Sequence, residues 1–160
     1  MNSIEAPYLY DPFNARGLRN ITNTSKRYYN CGGYALGTFS WYWPGRTVEE
    51  HDEIMEYAEA EDWDNALELA AEAIVSELPG WKLVELEAVM ERVYSPDKYE
   101  IVAMRFCDFD YHFWKLGRNW NWYDKMGGAG WIDRHAFTEV IARRWNYRYD
   151  SPIVCFIRTR

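Results

Sequence analysis

The chain predicts an α+β fold in which N-terminal helices pack on a C-terminal antiparallel sheet. Helical periodicity is concentrated in residues 31–92, strand-like runs are concentrated in residues 99–158, and no repeat, domain-sized linker or low-complexity tract divides the 160 residues. Helices first and strands later define α+β rather than an alternating α/β order. A chain of this length forms one domain over 1–160 and buries roughly two-thirds of the surface its unfolded form exposes. It needs neither metal nor disulfide to fold.

Residues 1–30, rich in Asn, Pro, Gly and Thr, read as an extended arm draped over the domain. A helix starts at Cys31 and runs to about residue 40. Gly32, Gly33, Ala35 and Gly37 weaken it but let it lie close to a sheet, so packing must hold it. Residues 41–46 form a turn carrying Trp41 and Trp43. Two acidic amphipathic helices follow over 47–60 and 62–78. In the second, Trp63, Ala66, Leu67, Ala70, Ala71, Ile74 and Leu78 recur at helical spacing. Asp62 or Glu61 caps its start and Pro79-Gly80 ends it. Residues 81–85 read as a short strand or as the lead into a helical turn at 87–92, and 94–98 as a loop.

From Tyr99 the pattern turns to β. Residues 99–106 and 110–116 are strand candidates, and a Gly117-Arg118-Asn119 turn leads to a third over 120–125. The glycine-rich stretch 126–130 reads as a mobile loop, 134–145 as a short helix, and 152–158 as a closing apolar strand.

Within this frame Cys31 stands where a loop enters a buried helix, at the positive end of the helix dipole, which favours a thiolate. A thiol nucleophile needs a base, and the base needs an orienting group. His112 lies on a strand, sharing a face with Asp110 while Tyr111 and Phe113 share the other. Asp124 on the next strand is the natural orienter, with Asn121 in reserve. The oxyanion donors are the Cys31 backbone N–H and a side chain such as Asn30 or Asn23. Trp41, Trp43 or Trp114 would wall the substrate site. His51 and His135 read as solvent-exposed residues on helical faces, and Cys107 and Cys155 as core. The Trp120-Asn121-Trp122 cluster reads as packing on the sheet. Asp108 and Asp110 are not completed by ligands at metal spacing. No cofactor and no metal are expected.

Composition narrows the partners. A net charge of −7 and an isoelectric point near 5.0 argue against nucleic acid and against an anionic wall polymer. Residues 49–77 carry most of the acidic excess, while Arg143, Arg144, Arg148, Arg158 and Arg160 make the tail basic. Three cysteines without short spacing fit a reducing compartment. The absence of a basic, apolar leader and of any run near the roughly 20 apolar residues of a membrane span predicts a cytoplasmic protein with no membrane partner. Oligomeric state stays open.

Three ordered motifs, Asn30-Cys31-Gly32-Gly33-Tyr34-Ala35-Leu36, Asp110-Tyr111-His112-Phe113-Trp114-Lys115-Leu116 and Trp122-Tyr123-Asp124-Lys125-Met126-Gly127, resemble papain-like cysteine peptidases and amidases of the small phage and bacterial type, including cell-wall peptidases and CHAP amidases. The resemblance covers about a third of the chain. It implies a papain-like fold, a peptide or protein substrate, Cys31 as nucleophile, His112 as base and Asp124 where the family pattern has histidine. Tyr123 and Met126 stand where it has serine and proline. It also implies a thiol protease or related hydrolase located in a bacterial or infected host cell. Deamidation and acyl exchange use the same dyad. The alternative is a non-catalytic phage or bacterial binding or inhibitor protein on this fold, acting on a host protein through its acidic helices.

Overall fold

A computed structural model describes residues 29–38, 40–125, 132–141 and 149–160. Most of the expected arm, including Asn23, the 126–130 loop, and Arg143, Arg144 and Arg148 lie outside the described residues. The architecture is α+β, with helices and a six-stranded antiparallel sheet.

Helix α1 (Cys31–Ala35) is shorter than its sequence suggests. It stops because Gly37 adopts φ +73°, and the chain folds back across the helix start. A Cβ on Gly33 would lie 1.9 Å from the Ser40 carbonyl oxygen, so only glycine permits this approach. Helix α2 (Val48–Glu59) is capped by Thr47, whose Oγ1 accepts the Glu50 N–H at 3.1 Å. Such a cap contributes about 1 kcal/mol. Helix α3 (Trp63–Glu77) is capped by Asp62 and buries Ala66, Ala70, Ala71, Ala73 and Ile74. These small side chains let it pack closely beside Ile54 and Ala58 of α2.

Strand β1 (Lys82–Val84) and helix α4 (Leu86–Met90) follow in turn, joining the two alternatives the sequence offered. Strands β2 (Tyr99–Phe106), β3 (Tyr111–Leu116) and β4 (Trp122–Lys125) form a meander. β4 begins two residues later than expected because Trp120, at φ +65°, still belongs to the turn. Residues 132–135 form strand β5 (Ile132–His135), although a helix was expected from residue 134; helix α5 (Phe137–Ile141) starts only after it. Four residues put two side chains on each face, too few for periodicity to register, and pairing with β4 supplies the missing order. Strand β6 (Val154–Thr159) ends the chain inside the sheet, whose order is β1-β6-β2-β3-β4-β5.

Both faces of β2 and β3 are covered, which is why their runs are almost continuously apolar. Val102, Met104, Phe106, Tyr111, Phe113 and Phe156 face the α1, α2 and α3 layer. Ile101, Ala103, Trp114, Leu116, Trp122 and Cys155 pack with Val89, Phe137, Val140 and Tyr149 on the other side. Each such large apolar side chain contributes roughly 1.5–3 kcal/mol on burial. Arg105, buried on this second side, donates to Ser151 O at 2.8 Å and Val140 O at 3.1 Å, tying α5 and the approach to β6 onto the sheet.

Candidate active site

Cys31 is the first residue of α1, and Asn30 fixes its position. The Asn30 Oδ1 accepts the N–H of Gly33 at 3.1 Å and of Tyr42 at 3.0 Å, and its Nδ2 donates to Tyr42 O at 2.8 Å. The Tyr111 hydroxyl donates to the same Tyr42 carbonyl at 3.2 Å. The Asn30 amide, expected as an oxyanion donor, is here used on the backbone of Gly33 and Tyr42. Helix α1 is held on the sheet by Lys115, whose ammonium lies 4.8 Å from the centre of the Tyr34 ring.

The imidazole comes from β3. Pairing between β3 and β4 is confined to Lys115 with Tyr123 and Leu116 with Trp122. Toward the start of β3 the ladder ends, and His112 and Asp124 meet diagonally on one face, Nε2 to Oδ2 2.6 Å. The second Asp124 oxygen, Oδ1, lies 2.7 Å from Nε2 of His135 on β5. Three neighbouring strands thus align His112, Asp124 and His135. A carboxylate only accepts, so both Nε2 atoms carry the proton in these contacts. Nδ1 of His112 is the nitrogen that Asp124 does not use, and the Cys31 sulfur lies near enough to raise the ring's pKa.

Cys31, His112 and Asp124 are all buried. Burial opposes charge on His112, but the Cys31 sulfur and the hydrogen bonds with Asp124 and Cys31 outweigh it and raise the ring from 6.5 to about 10. For Asp124 burial pushes the other way, and the hydrogen bonds from His112 and His135 hold the carboxyl below its ordinary range. The site therefore favours an imidazolium beside a carboxylate.

Tyr149 stacks on the His112 ring at 5.1 Å and Trp114 meets it edge-on at 4.7 Å. Tyr149 in turn donates from its hydroxyl to Asp110 Oδ2 at 3.1 Å. Trp114 lies under the histidine rather than along a substrate wall. Trp41 and Trp43 are exposed and line a cleft of about 400 Å³ with Tyr42, Arg46, His51 and Glu77. His51 is not a free surface ring: its Nδ1 contacts Pro44 O at 2.8 Å and it stacks on Trp43. Asn121 is engaged in the β3–β4 turn, where its N–H donates to Asn119 Oδ1. Cys107 and Cys155 are buried, and burial pushes the Cys155 thiol up to about 12.

The structure brings Cys31, His112 and Asp124 together and adds His135, whose sequence context predicts an exposed helical face. Its signal was parity: His135 pairs with Trp122, two residues from Asp124, but that register is invisible before β5 is known. Among the described residues no group of three or more His, Cys, Asp or Glu side chains is arranged to hold a metal ion, and no helix is long and apolar enough to cross a membrane. Comparison with protein-family models, curated proteins and solved structures finds no match.

Proposed function

We propose that this chain is a cysteine hydrolase of papain-like architecture that cleaves a peptide amide bond, with Cys31 as nucleophile, His112 as general acid and base, and Asp124 as the group orienting His112. The observation that carries the reading is the 2.6 Å contact between His112 Nε2 and Asp124 Oδ2 on a ring that also engages Cys31. The order of helix-borne cysteine, strand-borne histidine and carboxylate on the adjoining strand supports the architecture.

The chemistry follows from these placements. The Cys31 thiolate attacks the amide carbonyl carbon, and the electron pair of the C=O bond moves to oxygen. The first N–H groups of α1 have no intrahelical acceptor, so that of Cys31 is free to meet the oxyanion. His112 gives its proton to the leaving nitrogen as the C–N bond breaks, leaving a thioester. It then takes a proton from water, whose oxygen attacks the thioester carbon. Collapse expels the Cys31 thiolate, releases the acid and returns the imidazolium. Asp124 stays ionised throughout and stabilises the charged ring.

The test is modification by a peptide-like thiol electrophile across pH, followed by peptide mapping. Cys31 should be labelled in preference to Cys107 and Cys155, and His112→Ala should abolish that advantage. Equal labelling of Cys31, Cys107 and Cys155 would sink the reading.

The row of exposed carboxylates Glu49, Glu53, Glu56, Glu68 and Glu72 on α2 and α3 supports a second reading, a non-catalytic protein docking on a basic partner. It predicts binding that survives Cys31→Ala and weakens with salt.

A further inference from the structure

We propose that His135 is a positioning residue of the cysteine site: its Nε2–H holds Oδ1 of Asp124 so that Oδ2 stays aimed at His112. The inference rests on the hydrolase reading above. Each Asp124 oxygen has one histidine, at 2.6 Å for His112 and 2.7 Å for His135. Rotation of an aspartate carboxyl about its terminal torsion is soft, so a single contact would leave the group free to swing. Two contacts from opposite sides remove that freedom, because any swing that keeps one breaks the other. The carboxylate is buried on the central strand of the three, where an unsatisfied oxygen is costly.

His135 is also the outer end of the chain. Its side chain is 21% exposed against 5% for Asp124, and its Nδ1 lies 3.7 Å from Glu139 Oε2 on α5. Among the described residues, the charged or titratable groups around it include Asp124 on β4, with His112 beyond it, Asp133 on its own strand and Glu139 on α5. Burial opposes its charge, while Asp124, Asp133 and Glu139 raise its pKa. Protonated, His135 and His112 each set a positive charge against the Asp124 carboxylate.

The experiment compares wild type, His135→Ala, His135→Gln and His112→Ala for the rate of Cys31 modification by the same electrophile across pH. Glutamine can donate to Oδ1 from the place of Nε2 without titrating. Displacement of the Asp124–His112 pair by His135→Ala should slow the reaction roughly 10- to 100-fold, and His135→Gln should recover most of that loss. An alanine variant within about twofold of wild type overturns the proposal, as does a glutamine variant no better than alanine. If His112→Ala has no effect, the hydrolase reading itself fails, a distinct outcome. Imidazole NMR of wild type needs no variant to fold: a persistent Nε2–H on His135 supports the contact, and its absence overturns it.

Discussion

His112 and Asp124 meet across the opening between β3 and β4, Nε2 2.6 Å from Oδ2, with both side chains buried. A contact this short between a ring N–H and a carboxylate is charge-assisted, and roughly twice as strong as a neutral one. It decides both which nitrogen faces Cys31 and how tightly the ring keeps its proton.

Replacing Asp124 by Asn keeps the shape and removes the charge. The amide can present either a donor or an acceptor to His112, so the tautomer that leaves Nδ1 for the thiol is no longer enforced. We expect modification of Cys31 to slow by about 100-fold or more with the fold retained. Alkylation kinetics read by mass spectrometry, alongside circular dichroism, check this, and a change below about threefold counts against the role of Asp124.

Stability should fall on the alkaline side. His112 is raised from 6.5 to about 10 in the folded state, so between those values the native protein holds a proton that the unfolded chain has released. Its contribution is complete below the unfolded value and disappears as pH climbs through about 10. Raised His135 acts in the same sense. Lowered Asp124 contributes above the ordinary carboxyl range and loses its contribution as pH falls through its depressed folded value. Thermal melts from about pH 4 to 10 should show a broad maximum on the mildly acid side, with a shallower alkaline decline in His112→Gln.

Asn30→Ala removes the cap of α1 and both ties to the Tyr42 backbone. The expected loss is about 2–4 kcal/mol in urea unfolding. Cys31 reactivity should fall with it, because the helix start is no longer fixed relative to β3. Loss of less than about 1 kcal/mol would show that other contacts hold this turn.

Two adjacent glycines should behave differently. A Cβ on Gly33 would meet the Ser40 carbonyl oxygen at 1.9 Å, whereas on Gly32 it meets side-chain atoms of Tyr42 and Phe113 at 3.0–3.3 Å. Backbone cannot yield as side chains do, so Gly33→Ala should cost more than about 3 kcal/mol and Gly32→Ala about 1 kcal/mol. Paired unfolding curves check the order, and equal costs would contradict the close approach of residue 40.

The helices were readable because their signals are local. Thr47 and Asp62 sit at caps, and Ala66, Ala70 and Ile74 repeat at one turn, so α2 and α3 fall within a residue of their expected ends. The Tyr99–Phe106 run likewise announces a strand whatever pairs with it. α1 ended early and β5 appeared unannounced because their limits are set from outside. Residue 40 folding over Gly33 stops one, and hydrogen bonds from β4 create the other.

The candidate site divides in the same way. Cys31 before two glycines, His112 in a strand and Asp124 one strand later could be picked out from residue type and order along the chain. That Asp124 rather than Asn121 meets His112, that Asn30 spends its amide on Tyr42, and that His135 shares the carboxylate depend on register between strands distant in sequence. The α+β order, the caps and the candidate nucleophile are legible along the chain because all are products of local backbone preference and apolar spacing. The partners emerge with the folded sheet, because a hydrogen bond of 2.6 Å is a fact of strand register and side-chain direction, and neither is encoded in any one segment.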